Sequence, residues 1–322
     1  RSSPAGICCK EVKNVWDLRF LTYNKDKSGS RSLFMYKEKD SLAFLLLFFI
    51  LLPYLMTVII LGREACPLSR EISLEEYVPA VTASQISWDC SKETIKVQTV
   101  AARSNLYLLQ DTDKEESVIQ EAVNYIRKQD MNSFMLEKYQ VFLEAARETR
   151  GQVLKQNGEV KEIPYHTLSG GKTRDGKEIL GEKYSYLPSV DTSMDIENPD
   201  YVKGCYFSKE ELENKIRKKY SGFFLDEDMT VEIKDTDSAD YVMEIQMGDQ
   251  EFQGEEVREL LDLPSSCFTV QKLDGEIRFL CRGEGHGLGL SQYTVQQMSS
   301  EGKKYEEILS YFFPELTIEA LN

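Results

Sequence analysis

The sequence predicts an α+β fold in which antiparallel hairpins are mixed with helices, preceded by one N-terminal transmembrane helix. Three observations predict it. Asn157-Gly158 and Asp274-Gly275 each separate short β-prone runs and suit tight hairpin turns. Several stretches place apolar residues at helical spacing, among them Val97, Val100, Ala101 and Leu108. Residues 41–62 read SLAFLLLFFILLPYLMTVIILG, 22 residues without a charge, enough to span a hydrocarbon layer of about 30 Å.

The elements follow in order. Residues 1–40 form a cytoplasmic arm with nine Lys/Arg against five Asp/Glu, and six of those nine lie between Arg19 and Lys39. Basic residues beside a span stay inside, so everything after Gly62 is placed outside the cell. The uncharged run is long for a cleaved signal, follows too many residues, and lacks a small-x-small cleavage site. It reads as a single-pass anchor, with Pro53 tolerable in lipid. Residues 63–71 are a linker and 72–316 an ectodomain, followed by a tail at 317–322. Within the ectodomain, Asp89 and Ser91 offer cap oxygens for a helix reaching about Leu109. Lys96 and Arg103 stand seven apart, two turns along one side of it. Residues 111–148 are helical in pattern, with Val118, Ile119, Ala122 and Ile126 on one face, a second short helix over 139–148, and Gly151 as stop.

A hairpin pairs 152–155 with 160–165. A helix is expected over 208–219, strands over 231–233, 241–247 and 251–253, and a short helix over 255–261. Strands over 268–272 and 277–282 flank the second hairpin turn. Two helices close the chain; Tyr305, Ile308, Leu309 and Phe312 form the apolar stripe of the last, and Pro314 stops it.

Charge and cysteine usage exclude several classes. The whole chain carries −15, and setting aside the arm's excess of four positive charges leaves −19 beyond it. No basic stripe exists to neutralise phosphates, so nucleic acid is excluded as a partner. The seven cysteines, at 8, 9, 66, 90, 205, 267 and 281, include no CxxC pair. Neither histidine stands at ligand spacing from a cysteine, so no metal and no cofactor are expected. Beyond the anchor, Cys267 and Cys281 are candidates for pairing across a hairpin, but five cysteines argue for mostly free, buried thiols.

The chemistry concentrates in Arg282-Gly-Glu-Gly-His-Gly-Leu-Gly-Leu-Ser-Gln-Tyr293. Four glycines in seven positions weaken a strand unless the backbone must turn or approach another group closely. A dinucleotide loop fails on spacing, because Leu288 or Leu290 falls at the third glycine place and no lysine follows for a phosphate loop. Ser169 beside His166 lacks a nucleophile elbow and an oriented acid, so a polar turn is the simpler reading. His286, flanked by glycines, is the more accessible histidine.

Four ordered segments carry a resemblance. They are Leu74-Glu-Glu-Tyr-Val-Pro-Ala-Val-Thr-Ala-Ser-Gln85 with Lys96-Val-Gln-Thr-Val-Ala-Ala-Arg103; Thr149-Arg-Gly-Gln-Val with Tyr165-His-Thr-Leu-Ser-Gly-Gly-Lys-Thr173; Gly254-x-x-Val-Arg258 with Leu263-Pro-Ser-Ser-x-Phe268; and residues 282–293 with the closing helix. Over about residues 70–316 the chain resembles the stage II sporulation protein D family, related to amidase-enhancer proteins of bacterial cell walls. The resemblance implies a grooved, crescent-like ectodomain facing peptidoglycan and a lytic transglycosylase ancestry, with an amidase as partner. It also implies a catalytic glutamate eleven residues before the lysine. Here that place is Gln85, reached by counting eight from Tyr77 or eleven back from Lys96.

A carboxamide hydrogen-bonds but has no labile proton at neutral pH, so general acid catalysis is lost. Two expectations follow. In one, the groove binds glycan without cutting it: Gln85, Lys96, Arg103, Tyr165 and His286 occupy the former catalytic places, and His166, Ser169, Gln292 and Tyr293 contact substrate. In the other, Asp89, Glu93, Glu75 or Glu76 substitutes for the lost acid.

Overall fold

The computed structural model describes residues 47–49, 51–60, 73–110 and 112–321. The chain divides into two compact units, Arg1–Glu71 and Ile72–Asn322. In the first unit residues 47–49 and 51–60 are helical, while the rest of the expected arm, anchor and linker lies outside the described residues. Among the described residues no helix is long and apolar enough to cross a membrane.

The second unit is a mixed α+β assembly built on four small sheets, three of them antiparallel. It opens with helices α1 (Leu74–Gln85), α2 (Lys92–Leu108), α3 (Asp113–Lys128) and α4 (Ser133–Glu148). Ser91 caps α2 by accepting from the Thr94 N–H, as the sequence predicts. The apolar faces meet over Val78, Val81, Ala102, Leu106 and Ala122, and over Ala83, Ile95, Phe142 and Ala145. Helix α4 starts earlier than its apolar pattern indicates. Asn132 caps it through the Met135 N–H, while Phe134 and Leu136 in its first turns are exposed and blur the periodicity.

Strands β1 (Gln152–Gln156) and β2 (Glu159–Val160) form the first hairpin. Its turn has φ of 54° at Asn157 and 83° at Gly158, the double positive φ that a type I′ turn requires. The expected tail at 317–322 includes a strand that pairs with the other edge of β1. This strand, β11 (Thr317–Ala320), runs antiparallel to β1 and satisfies backbone groups that would otherwise be a bare edge. Strand β3 (Tyr165–His166) joins β10 (Leu290–Ser291) in a parallel pair.

Between them lie two further antiparallel sheets. Strand β4 (Val202–Ser208) flanks β9 (Glu276–Arg282), whose other side holds β8 (Phe268–Leu273). Strands β5 (Val231–Thr236), β6 (Val242–Met247) and β7 (Gln250–Gln253) form the other. The 174–240 stretch offers no clear periodicity for β4, because its residues are mostly half-buried or exposed and Gly204 interrupts the run. Helices α5 (Gly176–Leu180), α6 (Lys209–Arg217) and α7 (Gly254–Leu261) complete this part. Phe223, Ile245, Val257, Phe268 and Phe279 fill its core.

Helices α8 (Gln292–Ser300) and α9 (Tyr305–Phe312) close the unit. Val295, Ile308, Leu309 and Phe312 pack on Val97, Val100 and Ala101 of α2. The four described cysteines, Cys90, Cys205, Cys267 and Cys281, are free thiols. Burial pushes the Cys267 thiol up to about 11 and Cys281 up to about 12, so both stay protonated and inert.

Candidate functional site

The glycine run follows directly from the end of β9. Gly283, Gly285, Gly287 and Gly289 have φ of 74°, 111°, 77° and 70°, a region that L-residues avoid. Each also approaches another segment closely. A Cβ would lie 2.5 Å from the Ser169 carbonyl at 283, 2.6 Å from His166 Cβ at 285, 2.4 Å from Tyr241 Cζ at 287 and 2.1 Å from the Pro164 carbonyl at 289. Isolated bridges, antiparallel between Leu168 and Glu284 and parallel between Arg174 and Leu288, add to the β3–β10 pairing. The glycines therefore let residues 283–291 lie against 164–174, joining two motifs that are far apart in sequence.

A buried carboxylate locks this junction. Asp195 is fully buried and accepts from the Ser169 N–H at 2.6 Å, the Ser291 hydroxyl at 2.7 Å and the Thr294 hydroxyl at 2.7 Å. Ser291 in turn caps α8. A buried charge holding this many donors stabilises one arrangement of the three segments. Arg174 ties the other side, bonding Asp237 at 2.5 Å and Glu255 at 3.2 Å beneath the His286 carbonyl at 3.4 Å.

Above the junction opens a cleft of about 490 Å³. Its walls include Gln85 at the end of α1, Tyr165 and His166 of β3, Glu284 and His286 of the glycine run, and Gln292 at the start of α8. Lys203, Arg258, Asp262 and the Leu263-Pro264 turn complete it. Gln85 and His286 thus share one cavity. The lining mixes amides, imidazoles, a phenol and both signs of charge, a surface suited to a polyhydroxylated ligand rather than an apolar one.

The two histidines are fixed in different tautomers. Nδ1 of His166 lies 3.0 Å from the Leu288 carbonyl oxygen. A carbonyl only accepts, so Nδ1 carries the proton and Nε2 is a bare acceptor. That Nε2 is buried without a partner. Nδ1 of His286 instead accepts the Leu288 N–H at 3.1 Å, which leaves its proton on Nε2, bonded to the Tyr165 backbone. The rings meet edge to face with centroids 5.8 Å apart. Burial lowers both pKa values; His166 falls to about 3, helped by repulsion from His286. Both are neutral near pH 7 and neither is a proton donor of matched strength there.

Gln85 sits in a chain of amides. Gln292 donates through Nε2 to the Gln85 backbone carbonyl at 2.8 Å and to Gln98 Oε1 at 3.2 Å. Gln98 donates to Gln85 Oε1 at 3.0 Å. With its oxygen so occupied, Gln85 presents its amide N–H groups, which can bond a glycosidic or hydroxyl oxygen but transfer no proton.

The remaining expected site residues stand elsewhere. Lys96 pairs with Glu93 at 2.8 Å and Glu148 at 2.8 Å. Arg103 is buried and bonds Glu75 at 2.8 Å, the Thr149 hydroxyl and the carbonyls of Ala146 and Gln152. The two cations do point the same way, but toward the C-terminal end of α4, where positive charge meets unpaired carbonyls. Ser169 is buried against Thr192 at 2.5 Å, and Tyr293, bound through its N–H to Thr167, lies outside the cleft lining.

Of the expected substitute acids, Glu75 and Glu93 are held by those cations, and exposed Asp89 pairs with Lys138. Glu76 is exposed and also lies outside the cleft. Two cleft carboxylates escaped the sequence reading, Asp262 and Glu284. Lys215, 2.6 Å from Asp262, lowers that carboxyl's pKa. Glu284 lies inside the glycine run itself, where its charge among four glycines was the available signal. Lys203 gave no signal at all. Among the described residues no group of three or more His, Cys, Asp or Glu is gathered to hold a metal.

Comparison with known proteins bears on this geometry. The sequence model of the stage II sporulation protein family matches residues 63–155, which include Gln85, Lys96 and Arg103. The stage II sporulation protein D of Bacillus subtilis is 27% identical over 264 residues, covering 78% of this chain and 76% of that protein. The chain is similar to the stage II sporulation protein D family. Stage II sporulation protein D of Bacillus amyloliquefaciens is 25% identical over 76% of this chain and 73% of its own length. The amidase enhancer of Bacillus subtilis is 24% identical over 72% of this chain, which spans 38% of that larger protein. The matched residues 63–155 include the α1 and α2 side of the cleft.

Proposed function

We propose that this chain is a membrane-anchored, extracytoplasmic cell-wall protein that holds peptidoglycan glycan strands in the Gln85–His286 cleft, in sporulation or wall remodelling, with weak or no lytic transglycosylase activity. An amidase is its partner, in line with the name of the larger relative. The uncharged run at 41–62 supports the anchor. The observation that carries the reading is the carboxamide of Gln85 in a cleft with two neutral histidines.

Cutting a glycosidic bond needs a proton on the leaving oxygen, and a transglycosylase then uses the same group to take the proton of the attacking sugar hydroxyl. No group facing this cleft from α1 supplies that proton. What the cleft does offer is binding: N–H donors from Gln85 and the half-buried Tyr165 ring. The test is retention of denuded glycan strands by the native chain without shortening, read by pull-down and mass spectrometry of the strands. Loss of binding in His286→Ala is expected; strands that pass unbound would end the reading.

A second reading has one observation in its favour. Glu284 lines the cleft and enters no ion pair among the described residues, so it is a free carboxylate where the substitute acid would have to stand. Cleavage by the native chain that disappears in Glu284→Gln would establish it.

A further inference from the structure

The second unit holds a cavity larger than the cleft. A pocket of about 680 Å³ lies at the C-terminal end of α2, against the β1–β2 turn and the helical turn at 182–184. Three tyrosines, Tyr107, Tyr184 and Tyr186, and three lysines, Lys155, Lys161 and Lys183, line it, with Glu159 and Glu162 the only lining carboxylates. The lining itself carries three positive groups against two negative ones. Its volume falls within the range of small-ligand sites.

Each charge has a definite state. Lys161 is paired with Glu159 at 3.0 Å and Lys155 is held near Glu319 at 3.7 Å. Lys183 is exposed and enters no ion pair among the described residues; its ammonium stands 5.8 Å from the centre of the Tyr184 ring. Tyr184 and Tyr186 lie 6.1 Å apart, tilted by 31°, and Tyr107 is 41% exposed. Tyr186 is 3% exposed and donates its hydroxyl to the Glu162 carbonyl at 3.0 Å, so the accessible rings are Tyr107 and Tyr184. An aromatic face beside a free ammonium is what a sugar ring carrying a carboxylate requires: C–H groups against the ring and one ion pair.

The pocket is also close to the cleft along the chain. Glu162 lines the pocket and Tyr165 the cleft. Three residues of extended chain reach about 10 Å, on the scale of one disaccharide repeat. The link is pinned, since Asn105 binds both the N–H of Ile163 at 2.7 Å and its carbonyl at 2.9 Å.

We infer that this tyrosine and lysine pocket is a second saccharide site, separate from the cleft, that takes a carboxylate-bearing sugar of a glycan polymer. The identity of the polymer rests on the glycan reading of the cleft; the site itself does not. A strand held at both places gains affinity because the second contact is intramolecular.

The test measures binding of the purified full chain to denuded glycan oligosaccharides, to the same oligosaccharides with carboxylates converted to methyl amides, and to polyglycerol phosphate. Lys183→Glu with Tyr184→Ala should weaken binding of the acidic oligosaccharide roughly tenfold, the scale of one stacked ring and one exposed ion pair. Lys183→Glu alone, at an exposed position that folding does not need, should give part of that loss, and salt should diminish it. The amidated oligosaccharide should bind native chain no more weakly than the acidic one binds Lys183→Glu, because it loses the ion pair and keeps the stacked ring. Native-like affinity in Lys183→Glu, or equal binding of acidic and amidated oligosaccharides, overturns the inference. Preference for polyglycerol phosphate would make the pocket a phosphate-polymer site and overturn it too. His286→Ala separates the two readings: if the cleft does not bind glycan, that variant is silent while the pocket variants still lose affinity.

Discussion

Replacing Gly287 by alanine tests why glycines recur in the segment that builds the cleft. At 287 the φ is 77° and an added Cβ would stand 2.4 Å from Cζ and 2.5 Å from Oη of Tyr241. Tyr241 is fully buried, and its hydroxyl accepts the Gly170 N–H at 2.9 Å, so the ring has no free direction to move. Gly158 supplies the control, with φ of 83° and nothing within 4 Å of the added atom. Gly158→Ala should cost only the backbone strain, about 1–2 kcal/mol. Gly287→Ala adds overpacking of about 1–3 kcal/mol to the same strain, for a total of about 2–5 kcal/mol. Urea unfolding of both variants beside the native chain measures the difference. Glycan retention should fall in Gly287→Ala alone, because the neighbouring His286 must move with the backbone. Midpoints of the two variants that coincide, with glycan binding intact in both, would refute the argument that close approach rather than turn conformation dictates this glycine.

Gln85→Glu should create strand cleavage where the native chain shows little, with a rate gain of about 10² to 10⁴. The Gln98 amide, which donates to Gln85 Oε1, can donate equally to a carboxylate, so the substitution leaves the amide chain in place; product analysis of denuded strands reads it, and equal rates in both proteins count against the binding-only reading. His166 makes the fold pH-sensitive. Its folded pKa of about 3 lies below the ordinary 6.5, so between those values the unfolded chain binds more protons and stability rises with pH. The contribution is complete above about 6.5 and lost as pH falls toward 3, on the order of 5 kcal/mol in full. His166→Asn keeps a donor toward Leu288 without a titrating ring; the pH dependence of native minus variant stability should show this window, and parallel curves would exclude it.

Much of the architecture was legible because local physics decides it. Ser91 before an apolar periodicity makes α2 begin where it does, and Asn157-Gly158 makes a hairpin because both positions need positive φ. The order and type of most elements from β5 to α9 follow from the same signals. Strands β4 and β11 were not legible, since each is short, largely exposed and stabilised by a partner elsewhere in the chain. Half of the candidate site was also legible: Gln85, Tyr165, His166, His286 and Gln292 share the cleft. Lys96 and Arg103 show the opposite case. Their seven-residue spacing places them on one side of α2, yet spacing is silent on what that side faces, and it faces Glu75, Glu148 and the end of α4.

By itself the sequence determined where helices start, where hairpins turn, and that residue 85 carries an amide. These depend on neighbours within a few positions or on chemical identity alone. Only the tertiary structure decided that the glycine run must clear Pro164, His166, Ser169 and Tyr241, and that Lys203, Glu284 and Arg258 join Gln85 around one cleft. Those facts depend on which distant surfaces pack together, and packing is set by the whole apolar core rather than by any stretch of chain.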